Sequence, residues 1–205
     1  MKILICAATV LEMPKLAFST RYTTLVHGAG IGQSAYHLTK ELTRSKPDIC
    51  IQIGIAGAFD RSLKIGELVQ VVEDRFADLG AMTSEGNFIH LSNLKFADKT
   101  NPFEAESIIN DFNIDLILNK VKAITVNTTS GSVHQIEEII KMYNPQIETM
   151  EGASFFAICK AENLPCIQVR AISNYVEPRN TENWNIPLAI EMLERGIKKI
   201  ISQLA

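Results

Sequence analysis

Three polar side chains stand beside apolar runs, where a folded strand would present them at its end. Glu12 follows the run Lys2–Ala8, and Asn174 follows Cys166–Ile172. Glu151 lies between a short strand-like segment and an apolar, helix-like one. A carboxylate can accept a proton from an attacking water or hydrogen bonds from hydroxyl groups, and a carboxamide can pair with the edge of a heterocycle. Together these groups could bind and cleave a polar small molecule.

Each of these residues also has an explanation that involves no ligand. Glu12 fits a solvated loop residue, and Asn174 fits a turn former. Glu151 fits a carboxylate that the helix dipole favours at an N-terminus. The functional interpretation therefore requires a fold that brings the three side chains together.

Two glycine clusters adjoin predicted strands. His27–Gly32 opens a predicted helix, where backbone N–H groups can bind an anion, although the glycines could equally serve only a tight turn. A dinucleotide fingerprint needs a glycine where Gln33 stands and an acidic residue at the end of the next strand, whereas Asp48 precedes that strand. We therefore predict no nicotinamide cofactor. In Gly54–Ala58, small residues at a strand end would let a planar ligand approach the backbone.

Periodicity predicts the elements that must position these residues. Runs rich in Ile and Val predict strands at Lys2–Ala8, Thr23–Val26, Ile49–Ile55, Leu68–Val72, Ala123–Val126 and Cys166–Ile172. Helical spacing occurs in Gln33–Thr43, Ser132–Lys141, Ala153–Ala161 and Ile186–Leu204, and we interpret the last apolar stripe as core packing. Alternating strands and helices predict one three-layer α/β domain over residues 1–205. Asp78–Lys99 is predicted to form a loop or hairpin beside the site.

Composition excludes several classes of function. A chain of 205 residues with a net charge of −3 gives no electrostatic reason to expect a nucleic-acid or membrane partner. None of its apolar runs approaches the roughly 18 residues that a membrane span needs. The histidines lack metal-ligand spacing, and all four cysteines, Cys6, Cys50, Cys159 and Cys166, lie in apolar runs. We expect no metal site, buried reduced thiols and a cytoplasmic location.

The motifs taken together resemble the nucleoside phosphorylase and nucleosidase superfamily over nearly the whole chain. Glu12 stands where the related methylthioadenosine/adenosylhomocysteine nucleosidases carry the carboxylate that activates water. Met150 and Glu151 are similar to their ribose-binding motif, and Ser173-Asn174 stands where they carry Ser-Asp at the purine N7. The resemblance implies a central twisted mixed sheet flanked by helices, a homodimer or larger homo-oligomer, and no cofactor.

Within the superfamily, three segments are similar to the futalosine hydrolase family. They are Gly54–Phe59, Ala77–Ala81, and Ser173–Arg179 followed by Trp184. The resemblance implies hydrolysis of the N-glycosidic bond of futalosine, a purine nucleoside, with release of hypoxanthine in menaquinone biosynthesis. It also implies substrate contacts by Ala8, Ala56, Gly57, Met150, Glu151 and Ser173, and catalytic roles for Glu12 and Asn174. Arg179 becomes a candidate partner for the carboxylate of the substrate tail, with a solvated loop arginine as the alternative.

Asparagine at position 174 predicts the choice of base. The two hydrogens of its NH₂ group would match the acceptors N7 and O6 of a 6-oxopurine, whereas a 6-aminopurine would be mispaired. The sequence departs from the better-known nucleosidases at Ile55, where they carry a serine, and at Thr149, where they carry a glutamate. The loss of that serine leaves open how water is positioned, and a backbone group could replace it.

Three other functions stay open. The chain could be a phosphate-dependent purine nucleoside phosphorylase whose anion pocket recruits the glycine loop at 28–32 with Arg21, Arg44 or Arg75. It could be a nucleosidase of the methylthioadenosine/adenosylhomocysteine type. It could also be a nucleotide-binding protein without turnover, although binding alone does not need a carboxylate such as Glu12.

Overall fold

The structure is a computed structural model that describes residues 1–16, 19–112, 114 and 116–204. In this part of the chain the strands are β1 (Ile3–Ala7), β2 (Tyr22–Val26), β3 (Ile49–Ala58), β4 (Leu68–Asp74), β5 (Gly80–Met82), β6 (Phe88–His90), β7 (Ile108–Ile109), β8 (Asn119–Thr125), β9 (Ile147–Thr149) and β10 (Cys166–Tyr175). The helices are α1 (Ile31–Arg44), α2 (Val133–Tyr143), α3 (Gly152–Ala161) and α4 (Ile186–Gln203). Every predicted strand and helix named above has a counterpart among these elements.

The main sheet is mixed and closes on itself around β3. Strand β3 pairs in parallel with β1 and β10, β10 continues antiparallel to β4, and β4 and β8 continue in parallel to β9. Strand β9 then returns antiparallel to Gly57 and Ala58 of β3. Because β10 occupies one edge of β3 from Cys50 to Ala58, β1 and β9 must share the other edge. The sheet is therefore open where β1 and β9 diverge.

Helices cover both faces of this sheet, which explains why its central strands are apolar on both sides. One buried cluster joins Leu38 of α1 and Phe155 of α3 to the strands, and a second joins Leu193 and Ile197 of α4 to the opposite face. The prediction of a three-layer α/β fold with a central mixed sheet is confirmed. The C-terminal stripe packs into the core, as its periodicity predicts.

Two strands run further than their apolar composition predicts. Strand β3 extends to Ala58 and β10 extends to Tyr175, so that Gly57 and Asn174 lie within strands instead of after them. Hydrogen bonding to neighbouring strands continues over these small and polar positions, and their composition alone does not signal it. Asp78–Lys99 contains the predicted hairpin, formed by β5 and β6.

The four cysteines are buried free thiols, and burial raises the pKa values of Cys6 and Cys159. Among the described residues no group of His, Cys, Asp and Glu side chains is arranged to hold a metal ion. None of the helices in the described ranges is long and apolar enough to cross a membrane.

A chain of buried polar side chains crosses the sheet beneath the open edge. Arg170, only 1% exposed, donates to Oε1 of Gln52 at 2.6 Å and to Oε1 of Gln168 at 3.0 Å. Gln168 in turn donates to Asp74 at 3.3 Å. Because arginine can only donate, it fixes the Gln52 amide so that its NH₂ group faces Nε2 of His27 at 3.2 Å. Nε2 must then accept, and His27 is a neutral imidazole that donates from Nδ1 to the Gly28 carbonyl.

This arrangement predicts an acid-labile contribution to stability. Burial lowers the pKa of His27 from 6.5 to about 4, so the unfolded chain binds this proton more readily than the folded one. This contribution to the free energy of unfolding is lost as pH falls from 6.5 to about 4. About 2 kcal/mol of it is lost between about pH 7 and pH 5. Denaturant unfolding at both pH values should show a shallower loss of stability for His27→Gln than for the parent. The exposed His134→Gln is the control, and an unchanged pH dependence in His27→Gln would contradict the assignment.

Candidate active site

A cavity of about 520 Å³ opens where β1 and β9 diverge from β3. Every residue predicted to form the site lines it: Ala8, Glu12, Ala56, Gly57, Met150, Glu151, Ser173, Asn174 and Arg179. The ends of β1, β3 and β10, the start of α3 and the loop after β10 supply them. The fold therefore brings together residues that are more than 160 positions apart in sequence, as the numbering from Ala8 to Arg179 shows.

Glu12 is a buried carboxylate held on both oxygens. Oε2 accepts hydrogen bonds from the backbone N–H of Thr9 at 3.0 Å and from its hydroxyl at 2.8 Å. Oε1 accepts from the backbone N–H of Ile55 at 3.0 Å. The hydroxyl of Thr9 also accepts from the backbone N–H of Glu12, which closes a compact turn after β1. A backbone group of Ile55 thus orients the carboxylate, although the Ile55 side chain has no hydroxyl.

Gly54 permits the close approach of Glu12 to the buried guanidinium. A Cβ atom at this position would lie 2.3 Å from Nη1 of Arg170 and 2.9 Å from Oε1 of Glu12. A side chain at this position of β3 would displace the two charged groups, so their close approach requires a glycine here. The positive charge of Arg170 is held beneath the cavity, where it can balance the carboxylates above it.

Glu151 lies at the start of α3 and is anchored by the glycine loop. Its Oε1 accepts from the backbone N–H of Gly30 at 2.8 Å. Burial raises the pKa of this carboxyl group, the nearby Arg170 opposes the rise, and Glu12 adds to it. The Gly30 N–H, one of the loop groups that could bind a ligand anion, therefore binds a carboxylate of the protein itself.

A β-bulge in β10 directs Asn174 into the cavity. Ile172 pairs with Ala56 but Asn174 pairs with Gly57, so that Ser173 is the extra residue. The amide nitrogen of Asn174 donates to the Tyr175 carbonyl at 3.0 Å, and the Ser173 hydroxyl donates to its oxygen at 2.7 Å. Because a carbonyl can only accept, the contact with Tyr175 fixes the orientation of the amide.

This hydrogen bond corrects the expectation of two donors for the ligand. One hydrogen of the Asn174 NH₂ group is directed at Tyr175, which leaves one hydrogen for a base. Gly57 leaves space beside it, since a Cβ atom there would lie 3.2 Å from the Asn174 nitrogen. A 6-oxopurine bound here would receive a single hydrogen bond from Asn174, and a different group must recognise the rest of its edge.

A second polar wall of the cavity is not predicted from the sequence. It consists of Thr128, Thr129, Ser130 and Glu148. Glu148 lies in the short strand β9 and accepts hydrogen bonds from the backbone N–H of Ser130 at 3.0 Å and from the Ser130 hydroxyl. A lone glutamate two residues before Met150 gives no sequence signal for this, because alternation along a strand equally predicts an exposed position.

Arg179 lies at the rim of the cavity. Its backbone N–H donates to Gly131 at 3.1 Å, its Nη1 donates to the Thr129 hydroxyl at 3.3 Å, and its guanidinium stands 5.4 Å from the ring of Trp184. The side chain is exposed, and the contacts with Thr129 and Trp184 hold its guanidinium group. Arg179 is the only cationic side chain among the described residues that line the cavity.

The arginines considered for a phosphate pocket do not line this cavity. Arg75 forms an ion pair with Glu73 at 2.8 Å, and Arg44 lies 3.9 Å from Glu41 on the surface of α1. Arg21 is also absent from the lining residues within the described ranges. The anion pocket expected for phosphorolysis is therefore not assembled from these residues.

The fold and the site define an enzyme of the phosphorylase superfamily, and the chain belongs to this family, whose model matches residues 15–202. It is 25% identical over 194 residues to the futalosine hydrolase of Thermus thermophilus, covering 90% of this chain and 83% of that protein. It is 27% identical over 150 residues to a 5'-methylthioadenosine/S-adenosylhomocysteine nucleosidase of Staphylococcus aureus, covering 71% and 66%. The structure of a futalosine hydrolase mutant of Helicobacter pylori superposes with a TM-score of 0.81 at 15% identity, over 98% of this chain and 99% of that one.

The contacts of Glu12 predict that Thr9 positions it. Thr9→Val removes one hydroxyl donor to the carboxylate, while the two backbone donors stay. A hydrogen bond to a charged group contributes about 1.5 kcal/mol at a partly exposed site, so we expect kcat on a cleavable nucleoside to fall roughly tenfold. Thr9→Ser keeps the hydroxyl and should retain the parental kcat in the same steady-state assay. Equal kcat values for both variants would show that the hydroxyl is not needed.

Proposed function

We propose that this enzyme hydrolyses the N-glycosidic bond of futalosine and releases hypoxanthine and dehypoxanthinyl futalosine, a step of menaquinone biosynthesis. The single observation that carries the proposal is the convergence of Glu12, Glu151 and Asn174 on one cavity. Hydrolysis of an N-glycosyl bond is the activity named for both groups of relatives, and the chain belongs to this class of enzymes. Similarity to curated futalosine hydrolases over most of the chain supports the choice of substrate.

Glu12 is the group that activates water in this proposal. As the bond between C1′ and the base breaks, the sugar acquires oxocarbenium character, as in glycoside hydrolysis. The oxygen of water adds to C1′ and its proton passes to Glu12, while the bonding electrons leave with the base. Hydrogen bonds from Thr9 and Ile55 orient the carboxylate, so little reorganisation is needed during the reaction.

Glu151 holds the sugar. Each of its carboxylate oxygens can accept two hydrogen bonds, so the group keeps capacity for the vicinal ribose hydroxyls, and such charge-assisted bonds are about twice as strong as neutral ones. Met150, half-buried at the cavity wall, packs against the sugar face, and Ala8 and Ala56 leave room for it. The negative charges of Glu12 and Glu151 also favour the positive charge that develops on the ring.

Asn174 stabilises the leaving base. Its free N–H group donates to N7 or O6 as negative charge spreads onto the purine, and Ser173 and Tyr175 hold the amide in place. An amide cannot transfer its proton at neutral pH, so the base departs as an anion that later takes a proton from water. A homodimer or larger assembly is expected in addition, and in this proposal a neighbouring subunit completes the cavity.

Two alternatives differ from this proposal in an observable way. Phosphorolysis needs an anion site, but the Gly30 N–H is bound to Glu151 and the arginines proposed for that site do not line the cavity. A methylthioadenosine/adenosylhomocysteine nucleosidase is supported by overall similarity. The amide of Asn174 argues against this alternative, because the resemblance implies an aspartate at this position in that group of nucleosidases.

The reaction itself is tested in phosphate-free buffer. The purified protein should release hypoxanthine from futalosine, and added phosphate should not accelerate release. Glu12→Gln keeps the shape of the side chain but cannot accept the proton, so kcat should fall at least a hundredfold, about 2.7 kcal/mol of transition-state stabilisation. Chromatography of the free base measures both. Release that requires phosphate would make the enzyme a phosphorylase, and full activity in Glu12→Gln would refute the role of that residue.

The role of Asn174 predicts a change of base preference. Asn174→Asp replaces the NH₂ group that faces Tyr175 and the cavity with a carboxyl oxygen, which can accept from a 6-amino group where the amide N–H would oppose it. The ratio of kcat/KM for adenosine to that for inosine should rise roughly tenfold to a hundredfold. Ser92→Ala, which alters a hydroxyl outside the cavity, serves as the control. An unchanged ratio in Asn174→Asp would show that the amide does not read the base.

Arg179 is proposed to bind the carboxylate of the substrate tail. Arg179→Met keeps an unbranched side chain but removes the charge, so KM for futalosine should rise about tenfold while KM for inosine stays constant. The control is Arg195→Met, an exposed arginine of α4 that pairs with Glu191 outside the cavity. Steady-state kinetics on both substrates measures the difference. A parallel rise for inosine would indicate that Arg179 holds the loop and does not contact the tail.

A further inference from the structure

Glu148 is a buried carboxylate of the cavity that none of the steps above uses. Its side chain is 6% exposed, and burial raises the pKa of the carboxyl group. The two hydrogen-bond donors described for it both belong to Ser130, one to each carboxylate oxygen. Each carboxylate oxygen can accept two hydrogen bonds, so each keeps capacity for a further donor on the side of the cavity.

The pairing of strands places Glu148 opposite Asn174. Gly57 pairs with Asn174 of β10 on one edge and with Glu148 of β9 on the other. Directly paired residues present their side chains on the same face, and the Cα atoms of Asn174 and Glu148 are separated by two strand spacings, roughly 10 Å. Because Gly57 carries no side chain, the space between the amide and the carboxylate is free for a flat heterocycle.

The two groups differ in the hydrogen bonds they can form. Asn174 offers one N–H donor, and Glu148 offers only acceptors when ionised. A 6-oxopurine has acceptors at N7 and O6 and a donor at N1–H, on adjacent positions of one edge. A 6-aminopurine has an acceptor at N1 and a donor at the 6-position, so its N1 lone pair would face the carboxylate.

We propose that Glu148 is a specificity-determining residue that accepts the N1–H of a 6-oxopurine base, while Asn174 donates to its N7 or O6. This inference rests on the proposed function for the cleavable nucleoside, and it supplies the second recognition group that the single free N–H of Asn174 leaves missing. Ser130 is then a positioning residue, because its N–H and hydroxyl fix both oxygens of the carboxylate.

The test measures the binding of free bases by calorimetry, without the substrate tail and without turnover. Hypoxanthine should bind to the parent protein tenfold to a hundredfold more tightly than adenine, and similarly more tightly than 1-methylhypoxanthine, in which a methyl group replaces the N1 hydrogen. Equal binding of hypoxanthine and 1-methylhypoxanthine would overturn the proposal, as would a lack of binding by all three bases.

Variants separate recognition from a structural role. Glu148→Gln turns an amide donor toward N1, so hypoxanthine should bind at least tenfold more weakly and adenine at least as tightly as before. Ser130→Ala removes one tether of the same carboxylate but keeps its charge, and the preference for hypoxanthine over adenine should persist. Glu138→Gln on the exposed face of α2 is a surface control. If both site variants weaken the binding of all bases by the same factor, Glu148 only anchors Ser130 and the inference is wrong.

The outcome is independent of futalosine turnover. Hydrolysis of futalosine by a protein that binds the three bases equally would leave the proposed function standing and refute the role of Glu148. Selective binding of hypoxanthine by a protein that does not cleave futalosine would support the role of Glu148 and refute the substrate.

Discussion

The site depends on one buried positive charge. Arg170 is almost fully enclosed, and an isolated charge in such a place would cost far more free energy than a domain can supply. Two neutral amides, from Gln52 and Gln168, accept its hydrogen bonds, and its field lowers the cost of ionising Glu151 and Asp74. Burial still raises the pKa of Asp74 to about 6, so Arg170 offsets only part of the cost of burying this carboxylate in its charged form.

The same charge explains why several small residues surround it. Gly54 leaves the space in which Arg170 and Glu12 approach each other, and Gly152 lets the start of α3 approach Asp74 and Gln168, where a Cβ atom would lie 2.2 Å from the Asp74 carboxylate. The N-terminus of α3 therefore sits directly above a polar layer instead of an apolar one. Glu151, the residue before this glycine, lines the cavity at the start of α3.

Irregular pairing of the sheet creates the cavity itself. A regular sheet would keep β1 and β9 along separate edges, but here both use one edge of β3, and they diverge between Gln52 and Gly57. The bulge at Ser173 then turns Asn174 toward the opening. Ligand sites at such points of divergence are typical of open α/β sheets, since loops and strand ends leave a crevice there. Catalytic and recognition groups can consequently come from five different strands and their connections.

The sequence by itself determined the layers and the polar residues at their ends. Alternation of apolar strands with amphipathic helices required a covered sheet, and family resemblance singled out Glu12, Glu151 and Asn174. Only the tertiary structure decided that the Gly30 N–H binds Glu151, that Ile55 orients Glu12 through its backbone, and that Glu148 lines the cavity. These facts depend on backbone groups, strand register and pairings between distant segments, which side-chain type and local spacing do not encode.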